Sequence, residues 1–464
     1  MADLLAELAA ALPAGAVLTD PDLRRGHRHD EADLCPFGMP AVVVRPTSTA
    51  EVAAVVRIAG AHGVPVVPQG ARTGLAGAAN AVEGSVVLST AALDRIVEVD
   101  PVNRLAVVQP GVVNAVLAAE VARRGLRYPP DPGSWESSTI GGNVATNAGG
   151  MCCVKYGVTG EYVLGREVVL ASGEVLRTGR RTAKGVAGYD LTRLFVGSEG
   201  TLGVITEVTL ALRPAAEESL TVVAVFGSTA AAGAAVAAIA AGGLTPSLLE
   251  LLDDVHLRAI EAYRPMGLPV TAKAVLLAAA DTGARAAADV AAMGALCERA
   301  GASDVYAATD AVEAAALLRA RRLAHPAMER FAALMHPTGS GALIIDDVAV
   351  PRSRLAALLD GVERIAAEHG VPVGVVGHAG DGNMHPNLVV DRADPASVAR
   401  GRRAFDAIME LGLSLGGTCT GEHGVGLLKR EWLARELGPV GVGVHRAIKA
   451  ALDPRDLLNP GKVL

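Results

Sequence analysis

The sequence predicts an α+β protein of two domains, and three observations carry that expectation. A chain of 464 residues has room for two or three domains at roughly 150 residues each. Its first 214 residues are short β-branched runs separated by glycine turns, with short helices between them. After Pro214 the texture changes to strands alternating with Ala-rich helices. The boundary is therefore expected within residues 213–218, with domains at 1–214 and 215–464.

The elements follow in order. Residues 40–70, PAVVVRPTSTAEVAAVVRIAGAHGVPVVPQG, read as strand, Ser/Thr-capped helix and strand. SVVLST, RIVEVD and LAVVQPG continue as further short strands. GREVVLASGEVLRTG is a hairpin turning at Ser172-Gly173, and GVITEVTLALRP closes the domain with Pro214 as a stop. The uncharged stretch Ser219–Leu249 is long enough to span a bilayer. It divides instead into a strand (TVVAVF), a cap at Gly227-Ser228-Thr229 and an Ala-rich helix ending at Gly242-Gly243. No transmembrane segment is expected.

Composition narrows the function classes. With 53 glycines and 20% charged residues, the chain is neither low-complexity nor collagenous. So many glycines point to backbone held close to a ligand or turning through positive φ. A net charge of −7 and a pI near 5.9 argue against nucleic acid as a partner. The five cysteines are odd in number, and adjacent Cys152-Cys153 is no CxxC motif, so reduced thiols are expected. The N-terminal MADLLAELAAALPAG carries no basic residue of a signal peptide. A cytoplasmic protein, with peripheral attachment at the inner membrane face left open, is the expectation.

Familiar nucleotide loops are missing. No GxGxxG lies between strand and helix with an acidic residue about twenty later, and there is no GxxxxGK[ST]. In their place, PQGARTGLAG (68–77) follows the strand VPVV with three glycines in eight residues from Gly70. Such backbone lets successive N–H groups converge on an anion such as a pyrophosphate. DPGSWESSTIGGNVATNAGG (131–150) has little side-chain bulk, and VGSEGTLGVITEV (196–208) repeats the theme before a strand. Three such loops within one stretch read as a cofactor cradle.

These blocks resemble the FAD-binding domain of the vanillyl-alcohol oxidase / p-cresol methylhydroxylase (PCMH) superfamily, from PAVVVRPTST to the terminal NPGKVL. The branch they look most like holds glycolate oxidase FAD subunits, D-lactate dehydrogenases and D-2-hydroxyglutarate dehydrogenases. The resemblance implies a PCMH-type flavoprotein with an α+β substrate (cap) domain. It implies FAD contacts at Gly70, Arg72, Thr73, Gly74 and Leu75, and at Ser134, Thr139, Gly142, Asn143, Thr146 and Asn147. Glu199, Gly200 and Ile205 follow from the third block. Many relatives have a glycine triplet where this chain has Gly70-Ala71-Arg72. Some tether flavin through a histidine at the place Thr73 occupies. With neither His nor Cys in residues 68–77, non-covalent FAD is expected.

The second concentration of chemistry is VGVVGHAGDGNMHPNLVV (373–390). Two β-runs flanking AGDGN predict a hairpin that brings His378 and His385 within reach of one metal ion. TGEHGVG (420–426) adds adjacent Glu422 and His423. Two imidazoles and a carboxylate suit Zn²⁺ or another borderline divalent ion, while ordinary buried or surface histidines are the competing reading. The remaining histidines, His27 and His256 among them, are expected to be ordinary.

HxGDGNxH and GEHGxG are similar to the metal and catalytic motifs of the same branch. The resemblance implies His378, His385 and Glu422 as ligands, His423 as base and Asn387 as a substrate contact. RARRLAHPAMER (319–330) resembles the segment that presents an arginine to the substrate carboxylate. Arg321 is the candidate, against a solvated helix face. IIDDVAVP (344–351) lacks the lysine some hydroxyglutarate enzymes carry there, which favours a mono-acid.

The chemistry explains the residue types. Oxidising a 2-hydroxy acid removes a proton from the hydroxyl and a hydride from C2. Flavin N5 can take the hydride, a cation lowers the hydroxyl pKa, and imidazole accepts the proton near neutrality. The expected activity is FAD-dependent oxidation of a (D)-2-hydroxy acid of lactate, glycolate or 2-hydroxyglutarate type to the 2-oxo acid. Electrons would leave to a quinone, an electron-transfer flavoprotein or oxygen. A homodimer is compatible with this reading. Two alternatives stand beside it: a catalytically idle flavin subunit of a larger complex, and a zinc hydrolase, which leaves the three loops unexplained.

Overall fold

Residues 40–70 form the expected strand, helix and strand in the computed structural model, which describes residues 1–308, 311–336 and 338–464. Strand Val42–Val44 leads into helix Thr49–Ala61, whose first turn is capped by Ser48 accepting from the Glu51 N–H. Strand Val66–Gln69 follows. The two strands are not neighbours: Val86–Ser89 lies between them and pairs parallel with both. Val17–Leu18 completes this sheet antiparallel to Val42–Val44. Helix residues Val52, Val55, Val56 and Ala59 are buried against Val42, Val44, Val66, Val86 and Leu88. Each such Val or Leu contributes roughly 1.5–3 kcal/mol by leaving water, so this core needs few aromatics.

A second, antiparallel sheet runs in the order Ile96–Asp100, Leu105–Val108, Val204–Ala211, Val163–Val169, Val175–Gly179. Its last two strands are the expected hairpin, with Gly173 at φ +80° in the turn.

The chain divides into two compact units: residues 1–149, 158–215 and 422–464 in one, and 150–157 and 216–421 in the other. This differs from the sequence division at 214/215 in where the last 43 residues go. The C-terminal segment is hydrogen-bonded into the first sheet. The Val66 N–H donates to the Leu457 carbonyl, and the Asn459 N–H donates to the Val66 carbonyl. Lys462, buried, donates to the Asn80 carbonyl at 2.9 Å. Nothing in the local pattern of NPGKVL shows which sheet it joins. Conversely, residues 150–157 belong with the second unit, where Lys155 and Tyr156 both bind Asp281.

The second unit is built on an antiparallel sheet in the order Ala302–Ala307, Leu220–Phe226, Ala274–Ala280, Leu248–Asp253, Val373–His378, Asn383–Asp391, Gly341–Ile345. Val348–Ala349 also pairs with Asn383–Asp391. The stretch weighed as a membrane span is strand Leu220–Phe226 followed by helix Thr229–Ala241, capped by Ser228. Among the described residues no helix is long and apolar enough to cross a membrane. Among the described residues the five cysteines form no disulfide.

Candidate active site

In the first unit the three glycine loops come together. A Cβ built on Gly70 would lie 2.5 Å from Thr139 Oγ1, and one on Gly200 would lie 3.1 Å from Pro68. The Gly197 and Glu199 N–H groups donate to the Val144 and Ala145 carbonyls, which ties the third loop to the second. Thr139 is the N-cap residue of helix Ile140–Thr146, yet its hydroxyl caps nothing. Thr139 Oγ1, Ser138 Oγ and Asn143 Nδ2 are buried and find no hydrogen-bond partner among the described residues. Buried polar groups left unpaired cost about 1–3 kcal/mol each. A polar ligand meeting glycine-lined backbone would satisfy them, so the residues fit a bound FAD.

The other expected flavin contacts are placed as follows. Gly70, Arg72, Thr73, Gly74 and Leu75 form the loop after strand Val66–Gln69, and Ser134 lies in the loop before Thr139. Gly142 and Asn143 are helical, and the Thr146 hydroxyl donates to the Gly142 carbonyl. Asn147 ends the helix at φ +54°, and its Oδ1 accepts the Gly160 N–H at 2.8 Å. Ile205 is buried in strand Val204–Ala211.

Arg72 sits at φ +62°, a left-handed conformation that strains a side-chain-bearing residue by about 1–3 kcal/mol. A glycine would adopt it freely. Burial lowers the Arg72 guanidinium pKa from its usual value. His27, expected to be ordinary, lies 3.2 Å from Arg72 Nη1 through its Nδ1.

One organising residue of this cradle lies outside the three loops. Asp30 is buried, and its carboxylate accepts the N–H groups of Ala32 and Ala79. Burial pushes its pKa up to about 6, against the pull of those backbone donors. An isolated acid about forty residues before the loop carries no spacing signal.

Glu199 does something the motif did not suggest. Its buried carboxylate accepts the Val425 N–H at 2.7 Å and the Gly426 N–H at 2.8 Å. Burial raises its pKa to about 7, while those two donors and Lys429 pull it down. The Ala76 carbonyl accepts from Leu427 and Leu428, and the Val463 N–H closes onto Gly426. The first and third cofactor loops thus hold the segment that begins with Glu422 and His423. Glu422 Oε2 lies so close to Gly149 that a Cβ there would meet it at 2.2 Å. His423 Nε2 lies 3.9 Å from Glu422 Oε1.

In the second unit, strand Val373–His378, a single 3₁₀ turn and strand Asn383–Asp391 form the expected hairpin. His378 is paired with Asn383 and His385 with Val376, so the histidines are diagonal rather than opposite. They still meet, with ring centroids 5.3 Å apart and planes at 83°. One ring nitrogen of each lies within 4.8 Å of the other. His378 Nδ1 is 2.8 Å from Glu250 Oε1. A carboxylate only accepts, so Nδ1 carries a hydrogen, and in the neutral ring the lone pair is then on Nε2. That tautomer fits a divalent cation.

Glu250 is fully buried on strand Leu248–Asp253, and its Oε2 takes Arg321 Nε at 2.7 Å. Arg321, near the end of helix Ala311–Arg322, is 11% exposed, which excludes a solvated helix face for it. Asn387 lies on the same strand face as His385 and donates to the His385 carbonyl. Asp347, fully buried, has Oδ1 3.5 Å from His385 Nδ1. Its Oδ2 accepts from Thr420 Oγ1 and the Gly421 N–H. The signal for Asp347 was an acid inside an apolar strand sequence, and for Glu250 the same in LLELLD. His256 is fully buried against Asp253.

Glycine loops that fit a flavin nucleotide, joined to a domain carrying a histidine pair, define a flavin-dependent oxidoreductase. Residues 40–179 match the FAD binding domain family, and residues 215–463 match the FAD linked oxidases, C-terminal domain family. The chain belongs to the FAD-linked oxidase family.

It is 44% identical over 429 residues to the glycolate oxidase subunit GlcD of Bacillus subtilis, covering 92% of this chain and 89% of that one. It is 34% identical over 465 residues to a D-lactate dehydrogenase of Anaerostipes hadrus, covering 96% and 94%. Among solved structures it resembles p-cresol methylhydroxylase with substrate bound, at TM-score 0.80 and 18% identity, covering 100% and 96% of the two chains. The 4-ethylphenol oxidase from Gulosibacter chungangensis gives TM-score 0.79 at 20% identity, with the same coverage. The fold is that of PCMH-type flavoproteins.

Proposed function

We propose that this chain oxidises a (D)-2-hydroxy acid to the 2-oxo acid, a mono-acid of lactate or glycolate type in preference to 2-hydroxyglutarate. The observation that carries the reading is the His378–His385 pair with the His378 tautomer set by Glu250. Relatives named glycolate oxidase subunit and D-lactate dehydrogenase support the substrate class.

His378, His385 and Glu422 would hold the cation, with zinc the best match to two imidazoles and a carboxylate. When bound, FAD accepts the hydride from C2 and the cation lowers the pKa of the hydroxyl. His423 takes the hydroxyl proton. Arg321 pairs with the substrate carboxylate, and because Glu250 occupies its Nε, the Nη1 and Nη2 fork remains for that task. Asn387 contacts the substrate beside His385. The apolar strand Gly341–Ile345 and its acidic Asp346-Asp347 continuation offer no cation to a second carboxylate, which supports the mono-acid. Electrons then leave to a quinone, an electron-transfer flavoprotein or oxygen. The chain would act in the cytoplasm, at the inner membrane face where a quinone is the acceptor.

The test is anaerobic mixing of the isolated yellow protein with a panel of (R)-2-hydroxy acids. Bleaching of the flavin band by lactate or glycolate is expected. A flavin that no member of the panel bleaches would mark an idle subunit and sink the proposal. Acid precipitation checks the mode of attachment: the yellow colour should pass wholly into the supernatant, and colour kept by the washed pellet would refute non-covalent FAD.

A further inference from the structure

We propose that Glu250 is the positioning residue that couples cation binding to substrate-carboxylate binding, through one buried carboxylate shared between His378 and Arg321. The inference rests on the metal and arginine roles proposed above and adds a residue that none of the motifs contains.

Glu250 lies in the middle of strand Leu248–Asp253, between leucines, and is fully buried. That strand is in register with the one bearing His378, through Leu251 opposite Gly377 and Leu252 opposite Val376. Both oxygens are in use. Oε1 meets His378 Nδ1 at 2.8 Å, and Oε2 meets Arg321 Nε at 2.7 Å. A carboxylate buried without partners would be strongly destabilising, so its retention in an apolar strand calls for the two donors it has.

The first contact fixes which nitrogen of the neutral His378 ring carries the hydrogen. The second fixes which edge of the guanidinium is occupied. Since the carboxylate is rigid and planar, displacing one partner displaces the other. Cation affinity and substrate affinity are therefore linked through a group that touches neither ligand.

The isosteric change Glu250→Gln breaks this logic whichever way the amide sits. With its oxygen on His378, its NH₂ opposes the Arg321 Nε–H. With its NH₂ on His378, the ring hydrogen must move to Nε2, the atom a cation needs bare.

The experiment compares parent and Glu250→Gln holoprotein, both stripped with a chelator and retitrated with Zn²⁺ against a competing indicator. KM for the best hydroxy acid and FAD per chain are measured on the same samples. The expected result is a zinc Kd raised about 10- to 100-fold, a KM raised in parallel, and unchanged FAD stoichiometry. A residue with only a structural role would lower Tm without moving zinc Kd and KM together. If Glu250→Gln does not fold, Glu250→Asp keeps the charge but is too short to span both partners, and at least one of the two affinities should fall.

Zinc affinity and KM both within twofold of the parent, in whichever variant folds, would overturn the inference and leave the metal reading standing. A parent protein that binds no zinc would overturn the metal reading, and the inference with it.

Discussion

Replacing His423 with alanine is expected to leave a yellow, folded protein whose flavin the hydroxy acid no longer reduces at a useful rate. The alcohol is a very weak acid, and a positioned base that removes its proton in the transition state contributes roughly 10²- to 10⁴-fold. Imidazole suits the task because it is neutral in part of its population near pH 7. The surrounding structure explains why the defect should be confined to rate. The segment after His423 is held by Glu199 through the Val425 and Gly426 N–H groups and by the Ala76 carbonyl through Leu427 and Leu428. None of those bonds involves the His423 side chain, so the flavin cradle should survive its removal. Anaerobic stopped-flow measurement of flavin bleaching is the direct check. Reduction of His423→Ala at the parent rate would show that another group takes the proton.

Removal of the proposed cation is expected to have the second large effect. Chelation is expected to lower turnover at least about 100-fold, because a bound cation would supply several kcal/mol of charge stabilisation as the substrate hydroxyl loses its proton. The visible spectrum should not change, since the groups that fit FAD, among residues 68–77, 131–150 and 196–208, are distinct from the proposed cation ligands. Adding Zn²⁺ back should restore activity. His385→Ala should behave like the stripped protein and resist rescue. Full activity in protein shown by elemental analysis to hold no metal would remove the metal from the mechanism and leave the fold and flavin unaffected.

Much of this was legible in the chain because it is local. A run of Val with a Ser/Thr cap three residues before an acid specifies strand and helix without reference to anything distant, and Ser48 with Glu51 is such a case. The glycine loops announce themselves because only glycine-rich backbone admits a ligand closely. The histidine hairpin was legible because two β-runs flank the turn sequence AGDGN, and the observed register, with His378 opposite Asn383, puts His378 and His385 on one face. The register did matter in detail, making the two diagonal neighbours.

What the chain alone made legible, then, was the kind of protein: α+β texture, three glycine-rich loops, a hairpin carrying two histidines and, farther along, a Glu-His pair. The tertiary structure decided which buried acids serve those groups. Glu250 reaches His378 across 128 residues, Glu199 reaches Val425 across 226, and the C-terminal Lys462 reaches Asn80 across 382. A buried carboxylate takes its meaning from the donor placed opposite it, and that placement depends on strand order and register. Neither leaves a trace in the spacing of residues so far apart along the chain.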